Sequence, residues 1–387
     1  MKIAFIMEHF NPAFGGQEVY MRDFSNFLIS KGHEVHLYTQ TSNSSSTDLQ
    51  VHLIKVPKWK KLMRWTQWLS FLAHAKKQVK ADGYDVVMGT GMCLGVSVYQ
   101  PHGGVNRASH RQNALLTGPL IAKLKHFSNL FSPKHVVSRW VEKQKFSDPQ
   151  THFIAISEMV KGHMKEFYAV ADDRMTLIYN GVDVERFRPA SQELKSKTRT
   201  SLGLPQDKVI FSLVAHNFRL KGLAELVKAA ALIRNESEDF LIVIAGKGKR
   251  KKYESKIKAL GLSEYFHFLG SVSEPELVYQ ATDVYLQPTW YDPCSLVVLE
   301  AMAAGLPVIT TEFNGAGELI DDGVSGYVIN APSNIEALAD GMKALLDRDK
   351  RISVGQEARV KIEPYTLQRN YEAMLQAFET HGKIGSL

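Results

Sequence analysis

Cysteine is nearly absent from this chain. Two residues, Cys93 and Cys294, among 387 indicate no disulfide framework and cannot build a cysteine-based zinc site. A cytoplasmic location is the default for such a chain. Long apolar runs are missing as well, and none approaches the roughly 18 residues of a membrane span. The opening Met1-Lys2-Ile3-Ala4-Phe5-Ile6-Met7 is too short for a signal peptide and passes straight into Glu8 and His9. It reads as a buried first strand. Acidic residues are scarce in one stretch: residues 51–145 hold 16 Lys and Arg against 3 Asp and Glu, a balance of +13 in a chain of net charge +7. A one-sided excess of this kind points to an anionic surface as partner.

What is present describes a globular α/β protein. The length of 387 residues suffices for two domains of ordinary size, and the content is 44% hydrophobic and 22% charged. In the first half, short apolar runs at 2–7, 34–39, 51–56, 86–88, 153–156 and 176–179 read as strands. Residues 17–30 form an amphipathic helix, with Val19, Phe24, Phe27 and Leu28 at helical spacing. After residue 200 the alternation resumes, with strands at 209–214, 240–245, 267–269, 284–287, 308–310 and 326–328. Helices at 221–233, 251–260, 274–281, 296–304 and 334–346 separate them. Strands alternating with helices predict doubly wound parallel sheets, whose ligands sit beyond the carboxyl ends of the strands.

The most informative segment is Asp292-Pro293-Cys294-Ser295-Leu296-Val297-Val298-Leu299-Glu300-Ala301-Met302-Ala303-Ala304-Gly305-Leu306-Pro307-Val308. It is a polar turn, then an apolar helix stopped by Gly305 and Pro307. The backbone N–H groups around Ser295, Leu296 and Val297 would lack intrahelical partners, and such a helix start favours anions. Glu300 lies on the second turn of an apolar run, which is costly unless hydroxyls or N–H groups satisfy its carboxylate. Phosphate at the helix start and hydroxyls at Glu300 together describe a nucleotide-sugar. Further on the amino-terminal side, Gly15-Gly16 opens the first helix, where backbone can approach a phosphate closely. Ala245-Gly246-Lys247-Gly248 lacks the full spacing of a dinucleotide fingerprint.

The segment from Asp292 resembles the signature of family 4 glycosyltransferases, an acid, seven residues and a Glu followed by Ala-x-Ala-x-Gly-x-Pro-Val. Here the first acid is Asp292 rather than Glu, and Ser295 stands where Gly is common. Asn217-Phe218-Arg219-Leu220-Lys221-Gly222 is similar to the family's diphosphate clamp, with Arg219 closer to Lys221 than usual. Tyr179-Asn180-Gly181-Val182-Asp183 is similar to its interdomain segment, read as a hinge turn, and Pro101-His102-Gly103-Gly104 to the segment placing a histidine or acid near the transferred sugar. Gly270-Ser271-Val272 matches the segment that holds the base. The closest flavour is that of bacterial lipopolysaccharide core glucosyltransferases.

The resemblance implies two Rossmann-like doubly wound domains facing a cleft, the GT-B fold. The amino-terminal, acceptor-binding domain would cover 1–185, with a last helix at about 366–387 packing back on it. The nucleotide-sugar domain would cover 186–365. It implies a retaining hexosyl transfer from a donor such as UDP-glucose to a lipopolysaccharide core, glycan or glycolipid acceptor. His102, Asp292, Lys221 and Glu300 would be catalytic. Gly15, Gly16, Arg219, Gly246, Val272, Cys294, Ser295, Leu296 and Val297 would join Lys221, Asp292 and Glu300 around the donor. The nucleotide-sugar is a co-substrate, no further cofactor is expected, and no metal is expected if the cations and the helix start carry the charge. Two alternatives stay open: a same-fold transferase with a soluble acceptor, and a non-catalytic sugar- or lipid-surface-binding protein.

The basic stretch interleaves cations with indoles, as in Lys58-Trp59-Lys60-Lys61-Leu62-Met63-Arg64-Trp65-Thr66-Gln67-Trp68. Trp65 and Trp68 at i, i+3 share a helical face. Arg107, Arg111, Lys123, Lys125, Lys134, Arg139, Lys143 and Lys145 continue the charge. Basic helices with Trp and Leu lie in membrane interfaces, so peripheral attachment to the inner membrane is expected. No nucleic-acid-binding motif accompanies the charge, and no nucleic acid is expected as partner.

Overall fold

The computed structural model of the protein describes residues 1–11, 16–43, 49–56, 63–116 and 132–382. The chain divides into two compact units, Met1–Tyr179 with Asn370–Leu387, and Asn180–Arg369.

In the first unit the elements run β1 (Lys2–Ile6), β2 (His9–Phe10), α1 (Gly16–Ser30), β3 (Glu34–Thr39), β4 (Thr41–Ser42), β5 (Gln50–Leu53), α2 (Arg64–Asp82), β6 (Val86–Gly89) and β7 (Val98–Tyr99). There follow α3 (Asn106–Leu115), α4 (Pro133–Ser147), β8 (His152–Ala155), α5 (Glu158–Tyr168) and β9 (Met175–Leu177). Seven of these strands form a parallel sheet in the order β5-β3-β1-β6-β7-β8-β9. The order reverses between β1 and β6, the switch point beyond which such sheets bind ligands. Phe24 of α1 packs on Phe5 of β1 with ring centroids 5.9 Å apart, and Phe378 near the carboxyl terminus meets the same Phe24 at 5.7 Å.

The second unit runs α6 (Gln192–Ser201), β10 (Val209–Val214), α7 (Leu223–Ile233), β11 (Phe240–Ala245), α8 (Lys251–Ala259), β12 (Phe266–Gly270), α9 (Pro275–Ala281) and β13 (Val284–Gln287). It continues with α10 (Leu296–Ala303), β14 (Val308–Thr311), β15 (Tyr327–Ile329), α11 (Ile335–Ala344) and α12 (Arg348–Ile362). The last helix, α13 (Leu367–His381), begins here and ends in the first unit. The parallel order is β12-β11-β10-β13-β14-β15, reversing between β10 and β13. Helices cover both faces, so β11 reads Phe-Leu-Ile-Val-Ile-Ala and every residue in it is buried. Phe211, Phe240, Leu226 and Val227 share one core, each contributing about 1.5–3 kcal/mol by burial.

Asn180 and Gly181, expected as a hinge turn, are fastened within this unit. Asn180 Nδ2 donates to the Cys294 carbonyl at 2.8 Å. A Cβ on Gly181 would stand 2.7 Å from the Thr366 carbonyl oxygen, so a side chain there would collide with backbone.

Candidate active site

The two loops flanking the β10/β13 switch point build the centre of the site. After β10 the chain turns through Lys221 and Gly222 into α7. Gly222 has φ of +81°, and a Cβ there would lie 2.1 Å from the Pro288 carbonyl oxygen. Glycine therefore lets this turn rest directly on the segment that leaves β13. Trp290 N and Thr289 Oγ1 both donate to the Leu220 carbonyl, at 2.9 and 3.0 Å. The close approach seats Lys221 Nζ on Asp292 Oδ2, and both side chains are largely buried. Backbone straps hold Asp292: its N–H donates to the Phe313 carbonyl at 2.8 Å, and its carbonyl accepts from Gly315 N at 2.9 Å.

Next along the chain is the start of α10. Ser295 stands at the N-cap but its side chain caps nothing; its hydroxyl donates instead to Gln287 Oε1 at 2.8 Å. The N–H groups of Leu296 and Val297 have no protein acceptor among the described residues. They point from the positive end of the helix, where free N–H groups favour an anion. Cys294 serves this turn through its backbone. Burial pushes its thiol up to about 12, so it is no nucleophile at neutral pH.

Glu300 follows one turn later, half-buried. Tyr279 Oη donates to its Oε2 at 2.7 Å, while Oε1 receives no protein donor among the described residues. Burial pushes its pKa up to about 6, against the lowering by the Tyr279 hydrogen bond and the Arg186 guanidinium. The proton is therefore held more tightly in the folded chain, and this group's contribution to stability is lost as pH rises from about 4.5 through about 6. A ligand hydroxyl donating to the carboxylate reverses that preference. Ligand affinity at this site is expected to weaken as pH falls through about 6, and Glu300→Gln to abolish the inflection. Titrating ligand binding against pH checks this; an inflection that persists in the Gln variant belongs to another group.

The remaining expected residues divide between the units. Arg219 is exposed and makes no ion pair among the described residues. Gly246, with φ of +131°, donates to the Gly270 carbonyl at 2.6 Å, and a Cβ on it would fall 1.8 Å from the Ala215 carbonyl oxygen. It binds together the carboxyl ends of β10, β11 and β12. Val272 is half-buried just beyond β12. Gly16 and His102 belong to the first unit, and Gly15 lies outside the described residues. His102 lies within a tight turn in which Gly104 N donates to the Pro101 carbonyl at 2.8 Å. Its ring packs edge-on against Tyr20, its Nε2 is enclosed with no protein partner among the described residues, and burial lowers its pKa to about 4. It is a neutral imidazole at physiological pH. Among the described residues, no three His, Cys, Asp or Glu side chains gather into a metal-holding group.

Sequence inspection missed three polar residues that complete the second unit's site: Gln287, Asn314 and Tyr279. Asn314 Oδ1 accepts from Ser295 N at 3.3 Å and Ala316 N at 3.1 Å, tying the α10 start to the loop after β14. A buried polar residue ending the apolar run Val284-Tyr285-Leu286 was the one available signal, and it pointed to Gln287.

The basic stretch needs correction. Trp68 is 6% exposed, and its indole N–H donates to Glu8 Oε1 at 2.9 Å; Trp65 is half-buried. The Trp65/Trp68 pair is therefore largely inward-facing. Arg111 pairs with Glu166 at 2.5 Å, and the Arg107 guanidinium lies over Phe167 at 5.1 Å. Lys145 is buried and donates to the Gly91 carbonyl at 2.5 Å. Lys58, Lys60, Lys61, Lys123, Lys125 and the side chain of Arg64 lie outside the described residues. Among the described residues the exposed indole is on α4: Trp140 is 47% and Val136 45% exposed. Arg139 and Lys143 fall on the same helical face. No described helix is long and apolar enough to cross a membrane.

Both units are similar to known proteins. The family described as "Glycosyl transferases group 1" matches residues 195–363, and "Glycosyltransferase Family 4" matches residues 14–186. A D-inositol 3-phosphate glycosyltransferase of Corynebacterium jeikeium (strain K411) is 29% identical over 255 residues, covering 62% of this chain and 60% of that protein's own length. The lipopolysaccharide glucosyltransferase WaaG of Escherichia coli (strain K12) is 24% identical over 366 residues, covering 93% of each. A crystal structure of WaaG superposes with a TM-score of 0.82 at 22% identity, over 96% of this chain and 98% of that one, a likeness of fold.

Proposed function

We propose, for a chain that belongs to the group 1 and family 4 glycosyltransferases, a retaining transfer of a hexose from a nucleotide-diphosphate sugar. UDP-glucose or a close analogue is the proposed donor, and a lipopolysaccharide core or related glycan or glycolipid the acceptor. One observation carries the proposal: beyond the carboxyl ends of β10 and β13 the second unit gathers a cation at Lys221 and, without protein partners among the described residues, two N–H groups at Leu296 and Val297 and a carboxylate oxygen of Glu300. Those groups match diphosphate, and the ribose hydroxyls next to it. The name of the E. coli relative, a lipopolysaccharide glucosyltransferase, supports the hexose and the acceptor class.

In the proposed reaction Lys221, Arg219 and the α10 start bind the diphosphate and stabilise the charge that develops as it leaves. Asp292 accepts from a sugar hydroxyl. The acceptor hydroxyl attacks from the face the diphosphate leaves, and a departing phosphate oxygen takes its proton. His102, being neutral, positions a hydroxyl rather than supplying a proton. A thermal-shift screen of nucleotide-sugars tests the donor: at 100 times its dissociation constant the right one stabilises the fold by about 2.7 kcal/mol. A chain stabilised by none of them is not this enzyme. The anomeric configuration of the product, read by NMR, tests retention.

The proposed acceptor sits at the inner membrane surface, and the exposed face of α4 supports that. A tryptophan and a valine flanked by Arg139 and Lys143 suit an anionic interface, where each cation contributes about 1 kcal/mol. Trp140→Ser with Lys143→Gln is expected to release the protein from anionic vesicles at least about tenfold without changing donor affinity. Vesicle co-sedimentation checks this. Equal binding of wild type to neutral and anionic vesicles would instead favour a soluble acceptor.

A further inference from the structure

Gln287 closes β13 and is fully buried. Both ends of its amide are engaged. Ser295 Oγ donates to Oε1 at 2.8 Å, and Nε2 donates to Asp292 Oδ2 at 3.2 Å. Its backbone carbonyl accepts from Thr310 Oγ1 at 2.9 Å. Chemistry dictates which way the amide points. An ionised carboxylate only accepts, so the NH2 group faces Asp292, and the serine hydroxyl donates to the oxygen left over. From Asp292 Oδ2 the network continues to Lys221 Nζ. Four side chains thus form one hydrogen-bonded series, and the amide orientation is shared by every link.

Ser295 and Asp292 are the two positions at which this chain departs from the expected Gly and Glu. Gln287 joins the two departures into one unit. Glycine at 295 would leave Oε1 without its donor. The aspartate, about one methylene shorter in reach than glutamate, has its Oδ2 pinned by both Nε2 and Lys221. Oδ1 has no protein donor among the described residues and is the oxygen left for a ligand.

We infer that Gln287 is a positioning residue that sets sugar selection: it fixes the Asp292 carboxylate to present Oδ1 to a donor-sugar hydroxyl, with Ser295 locking the amide. The assignment rests on the second unit being the donor site. It predicts that Gln287 governs recognition of the sugar and not of the nucleotide.

Calorimetric affinities for UDP and UDP-glucose, measured on wild type, Gln287→Leu, Ser295→Ala and the double variant, test this. Gln287→Leu is expected to weaken UDP-glucose about tenfold while UDP stays within about twofold. Ser295→Ala should weaken UDP-glucose by about threefold, and the double variant should be no worse than Gln287→Leu alone, because the two act as one unit. If Gln287→Leu does not fold, Ser295→Ala, which removes a hydroxyl that caps nothing, reads the same ratio. Equal loss of UDP and UDP-glucose would make Gln287 a merely structural residue and overturn the inference. Unchanged UDP-glucose affinity overturns it too, as do additive losses in the double variant. A wild-type chain that binds neither probe overturns the donor-site reading and this inference with it, a result distinct from the others.

Discussion

Lys221→Ala is expected to lower turnover about a hundredfold, equivalent to about 2.7 kcal/mol of barrier. Two effects act together. A fixed cation beside a departing diphosphate stabilises charge that grows during the reaction, and deleting one such group typically costs on this scale. The substitution also strands Asp292, whose Oδ2 the lysine holds. A largely buried carboxylate without its partner has no counter-charge and swings toward water. The first effect lies in kcat and the second in recognition of the sugar, so steady-state kinetics with saturating acceptor separate them. Lys221→Ala combined with Asp292→Asn should then cost less than the two losses added, because the asparagine needs no counter-ion. A fall in kcat of less than about threefold would remove Lys221 from the reaction.

Gly222→Ala is expected to destabilise the second unit by about 3 kcal/mol or more. Its φ of +81° is unfavourable for any residue with a Cβ, and the added carbon would stand 2.1 Å from the Pro288 carbonyl oxygen. That oxygen cannot yield easily, since Thr289 and Trp290 are hydrogen-bonded back to Leu220. Gly32 offers the control. It has φ of +82° with nothing within 4 Å of an added Cβ, so Gly32→Ala should cost only the conformational strain, about 1–2 kcal/mol. Urea unfolding monitored separately in the two units measures both. If the two substitutions cost the same, the contact with Pro288 is soft and the Lys221 turn is not clamped.

Much of the fold was legible because parallel strands covered on both faces write themselves as apolar runs. β10, β11 and β13 fall at the residues expected, 209–214, 240–245 and 284–287. β7 escaped notice. It has two residues, Val98 and Tyr99, too few to show a period, and it is a strand only because β6 and β8 pair with it on either side. The helix expected from Lys221 begins at Leu223, since Gly222 is left-handed there and starts it late. Trp68 looked like an interfacial residue on spacing alone, and an indole hydrogen bond to Glu8, 60 residues away, holds it inside.

By itself, the sequence determined the α/β alternation, the bounds of most strands, the helix start after Ser295 and the oddity of Glu300 in an apolar helix. These follow from short-range rules: apolar periodicity, turn residues and helix stops act over a few positions. The tertiary structure alone decided that Lys221 meets Asp292, 71 residues later, and that Ser295 abandons its helix cap for Gln287. It also decided that Trp140 rather than Trp68 faces outward. Each of these depends on which loops the sheet order brings together at the β10/β13 reversal, or on which helix face the core takes. Such choices minimise the free energy of the whole packed chain, and no local stretch of sequence encodes them.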